Sequence, residues 1–464
     1  MATIPTLHSL SRKAHPTLER IKGDSLNGNA ACEQSLRSIK QRLENLAKGR
    51  TRQLCHMVLI LALWQRRTYQ LVYGSSGSGI AETGPPPTDS VQTLPFFVLF
   101  TVPLEWQVTR PEPVSRQDVL VKPNVTVSGL VFYGRKSRVE SMRCYIERNL
   151  VENGGWLDEV LWVVNTENVD DLFYLDEIIA SNPLRHKLLI PEGHLGTYTY
   201  WKAWQHLERD KYYVKIDDDI LWIEDGAIPK LVTHKIENPD TFVVSGNIIN
   251  NPPLGFMHYR MGALHPYLPE LQKPDHVTNA SDFWKPSHHP FWNGPNDTVW
   301  HPMRPPPAHE NVRWLRVEDE KMMWQTPAHQ LTYDVWGDSY KSWAIASQMH
   351  YSLFENIEKD TLDLYKFEKP WTMHGDRIRI NFMCVYANDI LDNGVGHWPE
   401  NRGDEDMIVL DLPNTLRRPV VILGTALASH FQYMDQPDLA KTDILSRYRS
   451  LAQDRACERL TSKT

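Results

Sequence analysis

Three consecutive aspartates, Asp217, Asp218 and Asp219, stand between two apolar stretches in the segment YVKIDDDILW. Side chains two residues apart on an extended segment point the same way, so Asp217 and Asp219 can face one cation while Asp218 faces elsewhere. Hard divalent ions such as Mg²⁺ and Mn²⁺ take carboxylate oxygens and leave their remaining positions to phosphate and water. The spacing therefore predicts a cation site, and the alternative is a solvated acidic turn after a strand.

A second acidic group, Asp404, Glu405 and Asp406, precedes a run of apolar residues, and His430 follows an apolar segment. A carboxylate within hydrogen-bond reach of a hydroxyl group can remove its proton as a general base. The same acids would also suit the first turn of a helix because of the helix dipole. His430 can bind a cation as a neutral imidazole, or it can hydrogen-bond the backbone at a strand end.

The chain between residues 125 and 216 alternates between two patterns. Strand-like runs of β-branched and apolar residues cover 125–134, 157–165, 186–191 and 211–216. Runs with apolar residues at helical spacing cover 138–153, 170–181 and 197–208. This alternation predicts a parallel α/β sheet with helical crossovers. The aspartate triplet then lies at the carboxyl end of the fourth strand, where open α/β sheets bind ligands.

The second half of the chain opens with a long irregular stretch, about 250–310, that is dense in Pro, His, Trp and Tyr. Long loops of this kind are usually functional, so its tryptophans could shape a ligand site or pack in the core. The tryptophans in question are Trp284, Trp292 and Trp300. Beyond it, the pattern predicts a helix at 340–359 and strands within 377–391 and 418–433.

The composition is typical of a globular protein, with 41% hydrophobic and 23% charged residues among 464. The formal net charge of -7 provides no basic excess of the kind that binds phosphate backbones. We therefore expect no nucleic-acid partner.

Residues 1–120 differ from the rest and are expected to form an N-terminal tail. An apolar run at 54–64 has basic residues on both sides, a Gly-, Ser- and Pro-rich linker follows at 74–90, and a second apolar run covers 94–106. Both runs are shorter than the ~20 residues that span a bilayer, so a membrane anchor and a buried or interfacial helix both remain open. With an anchor, we expect a type II single-pass protein of the Golgi or another secretory-pathway membrane; without one, a cytoplasmic protein.

The five cysteines are far apart and contain no Cys-x-x-Cys pair, which gives no indication of a zinc or redox motif and does not decide the compartment. Asn124, Asn279 and Asn296 begin N-glycosylation sequons. These sequons permit a glycoprotein without requiring one.

Several of these segments resemble one superfamily. YYVKIDDDILWI resembles the Asp-x-Asp segment of nucleotide-sugar-dependent glycosyltransferases of the GT-A fold, and GLVFYGRKSRVESMRCYIERNL is similar to the first strand and helix of that fold. GDEDMI and VVILGTALASHFQY resemble its acidic motif beside the acceptor and its metal-holding histidine. The resemblance covers roughly 125–448 and includes a set of largely uncharacterised fungal members. It implies an α/β fold with a GT-A-like mixed, mostly parallel sheet flanked by helices, in which a Rossmann-like nucleotide-binding half joins an acceptor-binding half.

The resemblance also implies roles for individual residues. Asp219 would bind Mn²⁺ or Mg²⁺ directly, Asp217 would be shared between the metal and the ribose, and His430 would complete the coordination. The residues implied to bind the nucleotide sugar are Gly134, Arg135, Arg138, Asn165, Asp217 and Asp218, although the two arginines also suit a solvated basic cluster at a helix start. Asp406 would be the catalytic base, with Glu405 next, if the enzyme inverts configuration.

Together these features predict a metal-dependent glycosyltransferase that moves a sugar from a nucleoside-diphosphate sugar, UDP-linked, to a hydroxyl group on a glycan, protein or small-molecule acceptor, with inversion. Residues 121–250 would form the nucleotide-sugar-binding half, 251–450 the acceptor-binding half and 451–464 a C-terminal tail.

One alternative function is a metal-dependent phosphotransferase or phosphohydrolase, which would require its nucleophilic aspartate after the first strand. The other is a sugar-binding protein that keeps this fold without turnover.

Overall fold

The computed structural model describes residues 120–458 except 194, 275–283 and 331–333. They belong to one compact unit, Arg110–Thr464. The strands are β1 (Val127–Tyr133), β2 (Glu159–Val164), β3 (His186–Leu189), β4 (Tyr212–Asp217), β5 (Ile220–Ile223), β6 (Val243–Ile249), β7 (Tyr267–Pro269), β8 (Trp314–Arg316), β9 (Trp371–Thr372), β10 (Phe382–Tyr386) and β11 (Val420–His430).

The α-helices of the described residues lie between these strands and after the last one. They are α1 (Lys136–Arg148), α2 (Val169–Ser181), α3 (Trp201–Trp204), α4 (Ala227–Glu237), α5 (Pro252–Arg260), α6 (Asp338–Lys341), α7 (Trp343–Glu358), α8 (Ala387–Leu391), α9 (Asp404–Asp406), α10 (Leu412–Leu416) and α11 (Ile444–Ala452). A π-helical turn, Met407–Asp411, joins α9 to α10, and a second one, Gln453–Cys457, follows α11.

One nine-stranded sheet carries the fold, in the order β3-β2-β1-β4-β10-β6-β11-β5 with β9 paired to β11. The strands β3, β2, β1 and β4 pair in parallel, and β11 pairs in parallel with β6. Because β10 is antiparallel to both β4 and β6, the strands β6 and β11 run in the same direction as β1–β4. The predicted mixed, mostly parallel α/β sheet is confirmed.

Strands from both predicted halves of the chain enter this sheet. β10 and β11 come from residues 251–450, yet β10 lies between β4 and β6, which come from 121–250. The seven residues of β1 are all buried, as are those of β6, because a central strand of such a sheet is covered on both faces. The two predicted halves of the chain therefore share one core.

The aspartate triplet runs from the end of a strand into a turn and is not extended throughout. Asp217 is the last residue of β4, Asp218 and Asp219 form the turn, and β5 begins at Ile220. The backbone N–H of Phe431, just past β11, donates to the Asp219 carbonyl at 2.9 Å. The pairing of β5 with β11 shifts register between Ser429 and His430, and this bulge brings His430 beside the turn.

A disulfide joins Cys144 in α1 to Cys457 in the π-helical turn after α11, across 313 residues of sequence. Cys384 is a free, buried cysteine of β10. The bond ties the helix after β1 to the last helical segment of the described chain.

The expectation of a type II single-pass membrane protein is corrected by the structure. Among the described residues, no helix combines the length and the apolar character needed to cross a bilayer. The two apolar runs behind that expectation, 54–64 and 94–106, lie outside the described residues.

Candidate active site

A cavity of about 790 Å³ opens where β1 and β4 end. Its lining contains almost all of the residues that the sequence predicted for the site, namely Gly134, Arg135, Arg138, Asn165, Asp217, Asp218, Asp219, Glu405 and His430. Asp404, Lys215, Arg379, Asn381 and Tyr433 line it as well. Asp406 is not part of the lining.

Asp217 is held by two neighbours on either side of its carboxylate. Lys215 Nζ contacts Oδ1, and Asn381 Nδ2 donates to Oδ2 at 2.8 Å. Lys215 precedes Asp217 by two residues on β4, so the two side chains share a face of the strand. The Lys215 ammonium also donates to the Ile380 carbonyl at 2.9 Å and lies 4.9 Å from the centre of the Phe132 ring.

Asp218 is a buried partner of Arg135. The guanidinium contacts both carboxylate oxygens, with Nε donating to Oδ2 at 2.9 Å and Nη2 to Oδ1. The Gly134 backbone N–H adds a contact of 3.2 Å to Oδ2. Burial raises the pKa of Asp218 and the nearby Asp219 charge adds to this, while Arg135 opposes it. This two-point contact fixes Arg135 at the start of α1.

Asp219 has three cationic or potentially cationic neighbours. Arg138 Nη1 donates to Oδ2 at 2.7 Å, Arg135 Nη2 lies 3.2 Å from the same oxygen, and His430 Nε2 lies 3.2 Å from Oδ1. Burial alone would raise the pKa of Asp219, but His430 and the two arginines outweigh it and hold that pKa well below its usual range. Asp219 is therefore a carboxylate at any physiological pH.

Asp219 and His430 fit the requirements of a divalent cation. Two ligands at right angles around an octahedral ion with bonds of about 2.1 Å are about 3 Å apart, close to the 3.2 Å between Oδ1 and Nε2. Both side chains are buried at the cavity wall, which leaves the open side to phosphate and water ligands. Asp217 differs, because Lys215 and Asn381 donate to both of its oxygens, whereas Oδ1 of Asp219 lies beside the candidate ligand His430.

A separate group of potential ligands lies elsewhere in the fold. Within the described part of the chain, three metal-ligating side chains converge to within 4.8 Å at His265, Glu320 and Glu355. Arg316 donates to both carboxylates, and Lys359 Nζ lies 2.6 Å from Glu355 Oε1. These two cations already balance the two carboxylates, and none of the five residues lines the cavity.

Asn165 also lines the cavity and lies directly after β2. Its Nδ2 donates to the Tyr200 hydroxyl at 3.2 Å, and its buried Oδ1 has no hydrogen-bond partner among the described residues. Such an amide oxygen can accept a hydrogen bond from a nucleotide base. The nucleotide-sugar-binding role that the resemblance implies for Asn165 stays a prediction.

The three acidic side chains of residues 404–406 lie in three different environments. Asp404 is buried, and Trp204 Nε1 donates to its Oδ2 at 3.0 Å. Glu405 accepts from Arg377 at 2.6 Å and from Arg379 at 3.1 Å. Asp406 pairs with Arg377 at 3.1 Å and Arg402 at 3.5 Å, away from the cavity lining.

Burial raises the pKa of Asp404 to about 6, and the carboxylates of Glu405 and Asp217 add to the effect. Lys215 and the hydrogen bond from Trp204 act in the opposite direction. A carboxyl group with a pKa near the working pH suits general base catalysis.

Three of the residues that sequence reasoning did not single out are Lys215, Asn381 and Tyr433. Lys215 had a signal, because it shares a strand face with Asp217. Asn381 and Tyr433 had none, since only the fold brings Tyr433 OH within 3.0 Å of Asn381 Oδ1. The predicted tryptophans lie elsewhere: Trp284 and Trp300 are buried against other aromatic rings, and Trp292 is partly buried against the core.

No protein-family model matches this chain, and no curated protein matches it. Solved structures that it resembles include GalNAc-T7 with UDP, GalNAc and Mn²⁺, at 10% identity and a TM-score of 0.32, over 67% of this chain and 44% of that one. Another is 4-diphosphocytidyl-2C-methyl-D-erythritol synthase from Anaerococcus prevotii DSM 20548, at 7% identity and a TM-score of 0.30, over 71% of this chain and 96% of that one. A third is mannosyl-3-phosphoglycerate synthase from Rubrobacter xylanophilus, at 16% identity and a TM-score of 0.22, over 27% of this chain and 40% of that one. Likeness at these scores carries no argument about function, which has to be inferred from the cavity itself.

Proposed function

We propose that this chain is a glycosyltransferase that moves a sugar from a nucleoside-diphosphate sugar, UDP-linked, to a hydroxyl group of a glycan, protein or small-molecule acceptor. One observation carries the proposal: a single cavity gathers the aspartate triplet, two arginines, His430 and the buried carboxyl of Asp404. Its volume of about 790 Å³ falls in the range typical of small-molecule sites.

Residues 121–250 supply the donor side of the cavity. Arg135 and Arg138 lie at the start of α1 and offer paired donors to a diphosphate. Asn165 lines the cavity, and its side-chain amide would contact the base. Gly134 lets the backbone lie close to the Asp218 carboxylate, because a Cβ at this position would lie only 3.2 Å from Asp218 Oδ2.

Asp219 and His430 would hold a divalent cation, Mn²⁺ or Mg²⁺, with Asp217 joining them only if it gives up its contacts with Lys215 or Asn381. A bound cation would stabilise the charge that develops on the leaving diphosphate. We assign Asp218 to Arg135, whose guanidinium contacts both of its oxygens, and not to the cation.

Residues 251–450 supply the acceptor side. For an inverting reaction we assign the general base to Asp404, which lines the cavity and whose pKa burial raises to about 6. Trp204 holds this carboxyl in place. Asp406, which the sequence favoured, lies outside the lining, and Glu405 is engaged by Arg377 and Arg379, so both stay candidates of lower rank.

A panel of nucleotide sugars tests the proposal through release of nucleoside diphosphate, with and without Mn²⁺. We expect metal-dependent release with an acceptor present, its loss in Asp219→Asn, and its retention in Asp240→Asn, which changes an exposed aspartate of the same unit. Turnover of p-nitrophenyl phosphate alone would contradict the proposal in favour of a phosphotransferase or phosphohydrolase. Nucleotide-sugar binding without any release would favour the non-catalytic alternative, and NMR of the product anomer decides between inversion and retention.

A further inference from the structure

All six carboxylate oxygens of the aspartate triplet have protein partners. Cationic side chains contact each of the three carboxylates: Lys215 contacts Asp217, Arg135 contacts Asp218, and Arg138 contacts Asp219. The remaining contacts come from Asn381, the Gly134 backbone and His430. Three positive charges thus balance three negative charges at the cavity wall, and the cluster is neutral as it stands.

This balance works against a divalent cation that arrives alone. The carboxylate that Asp219 would share with it is already engaged through its other oxygen, because Arg138 at 2.7 Å and Arg135 at 3.2 Å contact Oδ2 while Oδ1 faces His430. A dication at Oδ1 would add two positive charges to a neutral and largely buried cluster, and it would compete with Arg138 for the negative charge of its anionic partner. Because Arg138 is only 12% exposed, water cannot replace that partner fully.

A nucleoside diphosphate changes the balance. Its phosphate oxygens offer the arginines a new anionic partner with suitable geometry for paired hydrogen bonds. Arg138 also donates to Gln432 Oε1 at 3.0 Å and lies 5.2 Å from the centre of the Phe431 ring, so its guanidinium is held at the cavity wall. Arg135 is 47% exposed and faces the same cavity. The two arginines can therefore turn to a diphosphate without leaving the site.

We propose that Arg138, with Arg135, changes partner during donor binding: it neutralises Asp219 in the nucleotide-free chain and moves to the diphosphate when a nucleotide binds, which frees Asp219 for the cation. The cation and the nucleotide then bind cooperatively. The proposal depends on the proposed function only in taking a nucleoside diphosphate as the ligand. Thermodynamic linkage requires the coupling to be the same from either side.

Equilibrium dialysis of the full chain tests this inference, with Mn²⁺ alone, UDP alone and both together, corrected for the Mn²⁺–UDP complex in solution. For the wild type we expect Mn²⁺ affinity to rise at least about tenfold when UDP is present. In Arg138→Met, Mn²⁺ alone should bind about tenfold more tightly, while UDP alone should bind about tenfold more weakly, since a charge-assisted hydrogen bond is lost. Arg143→Met is the matched control, because Arg143 lies on the same helix and pairs with Glu147.

The opposite signs of the two effects distinguish a change of partner from a structural role. An arginine that only supports the fold would weaken both ligands when replaced, and that result overturns the inference. Equal Mn²⁺ affinity with and without nucleotide, for UDP and for GDP and CDP run in parallel, also overturns it. Sugar transfer is not the readout of this experiment. If Mn²⁺ and UDP binding are coupled but no sugar is transferred, this inference stands and the proposed function fails. If sugar is transferred without that coupling, the proposed function stands and this inference fails.

Discussion

The indole of Trp204 donates a hydrogen bond to Oδ2 of Asp404 at 3.0 Å, although 200 residues separate them in the chain. Trp204 lies on α3, which follows β3, and Asp404 begins α9 near the end of the described chain. Both side chains are buried. A carboxyl group from residues 251–450 is thus oriented by an indole from residues 121–250, so the position of the proposed base depends on the core that these two parts of the chain share.

Asp404→Asn should abolish most of the transfer activity. Removing a general base typically costs about 10²–10⁴-fold in kcat, and asparagine keeps the acceptor for the Trp204 hydrogen bond. Nucleotide affinity should stay within about twofold, because no described contact links Asp404 to the arginines. Asp406→Asn is the matched comparison. A larger loss of kcat in Asp406→Asn than in Asp404→Asn would show that Asp406, and not Asp404, is the general base.

The activity should depend on pH through the same carboxyl group. Burial raises the pKa of Asp404 to about 6, and a general base works only when it is deprotonated. We therefore expect kcat/KM to fall as the pH drops through about 6. A profile that stays flat down to pH 5 would show that another group accepts the proton.

Asp404→Asn should also make the protein more stable at pH 8. The pKa of Asp404 is raised in the folded state relative to about 3.9 in the unfolded chain. The folded state therefore holds the proton more tightly between about pH 4 and pH 6, and the free energy of unfolding falls as the pH rises through that window. Urea unfolding of wild type and variant should differ by up to about 3 kcal/mol at pH 8 and converge towards pH 4.

Much of the fold follows from patterns that are local in sequence. The predicted strands at 125–134, 157–165, 186–191 and 211–216 correspond to β1, β2, β3 and β4, because runs of β-branched and apolar residues suit buried parallel strands. Such patterns do not predict which strands pair when they are far apart in the sequence. Of the predicted strand at 377–391, only the middle third is a strand, β10, and the last third is a helix, α8; nothing in its sequence indicates that β10 inserts between β4 and β6.

The site shows the same limit. The sequence identified the triplet, His430 and the acidic group, because their residue types are unusual beside apolar segments. Which carboxylate of residues 404–406 faces the cavity depends on how one short helical turn packs, and a shift of one residue in a helix turns a side chain by about 100°. The cations that neutralise the triplet come from β4 and α1, and their contacts exist only in the folded chain.

The individual ligands of the cation can be separated by substitution. In the presence of UDP, Asp219→Asn and His430→Gln should each weaken Mn²⁺ binding about 10- to 100-fold, whereas Asp217→Asn should have a smaller effect because Lys215 and Asn381 engage both Asp217 oxygens. Titration calorimetry with a fixed UDP concentration measures this. Equal losses in all three variants would make Asp217 a direct ligand, as the sequence alone predicted.

The disulfide between Cys144 and Cys457 should contribute to stability more than to ligand binding. It closes a loop of 313 residues, so its loss in Cys457→Ser should lower the free energy of unfolding by about 2–5 kcal/mol. Arg449 also links α11 to α1, since its Nη2 donates to the Ser137 carbonyl at 2.9 Å and lies 3.1 Å from Glu140 Oε2. We therefore expect α1 to keep Arg138 in place in the variant, with UDP affinity unchanged at 25 °C. The control is a reducing agent, which should lower the stability of the wild type to that of Cys457→Ser and leave the variant unchanged. If the wild type and the variant are equally stable without the reducing agent, the disulfide does not stabilise the fold.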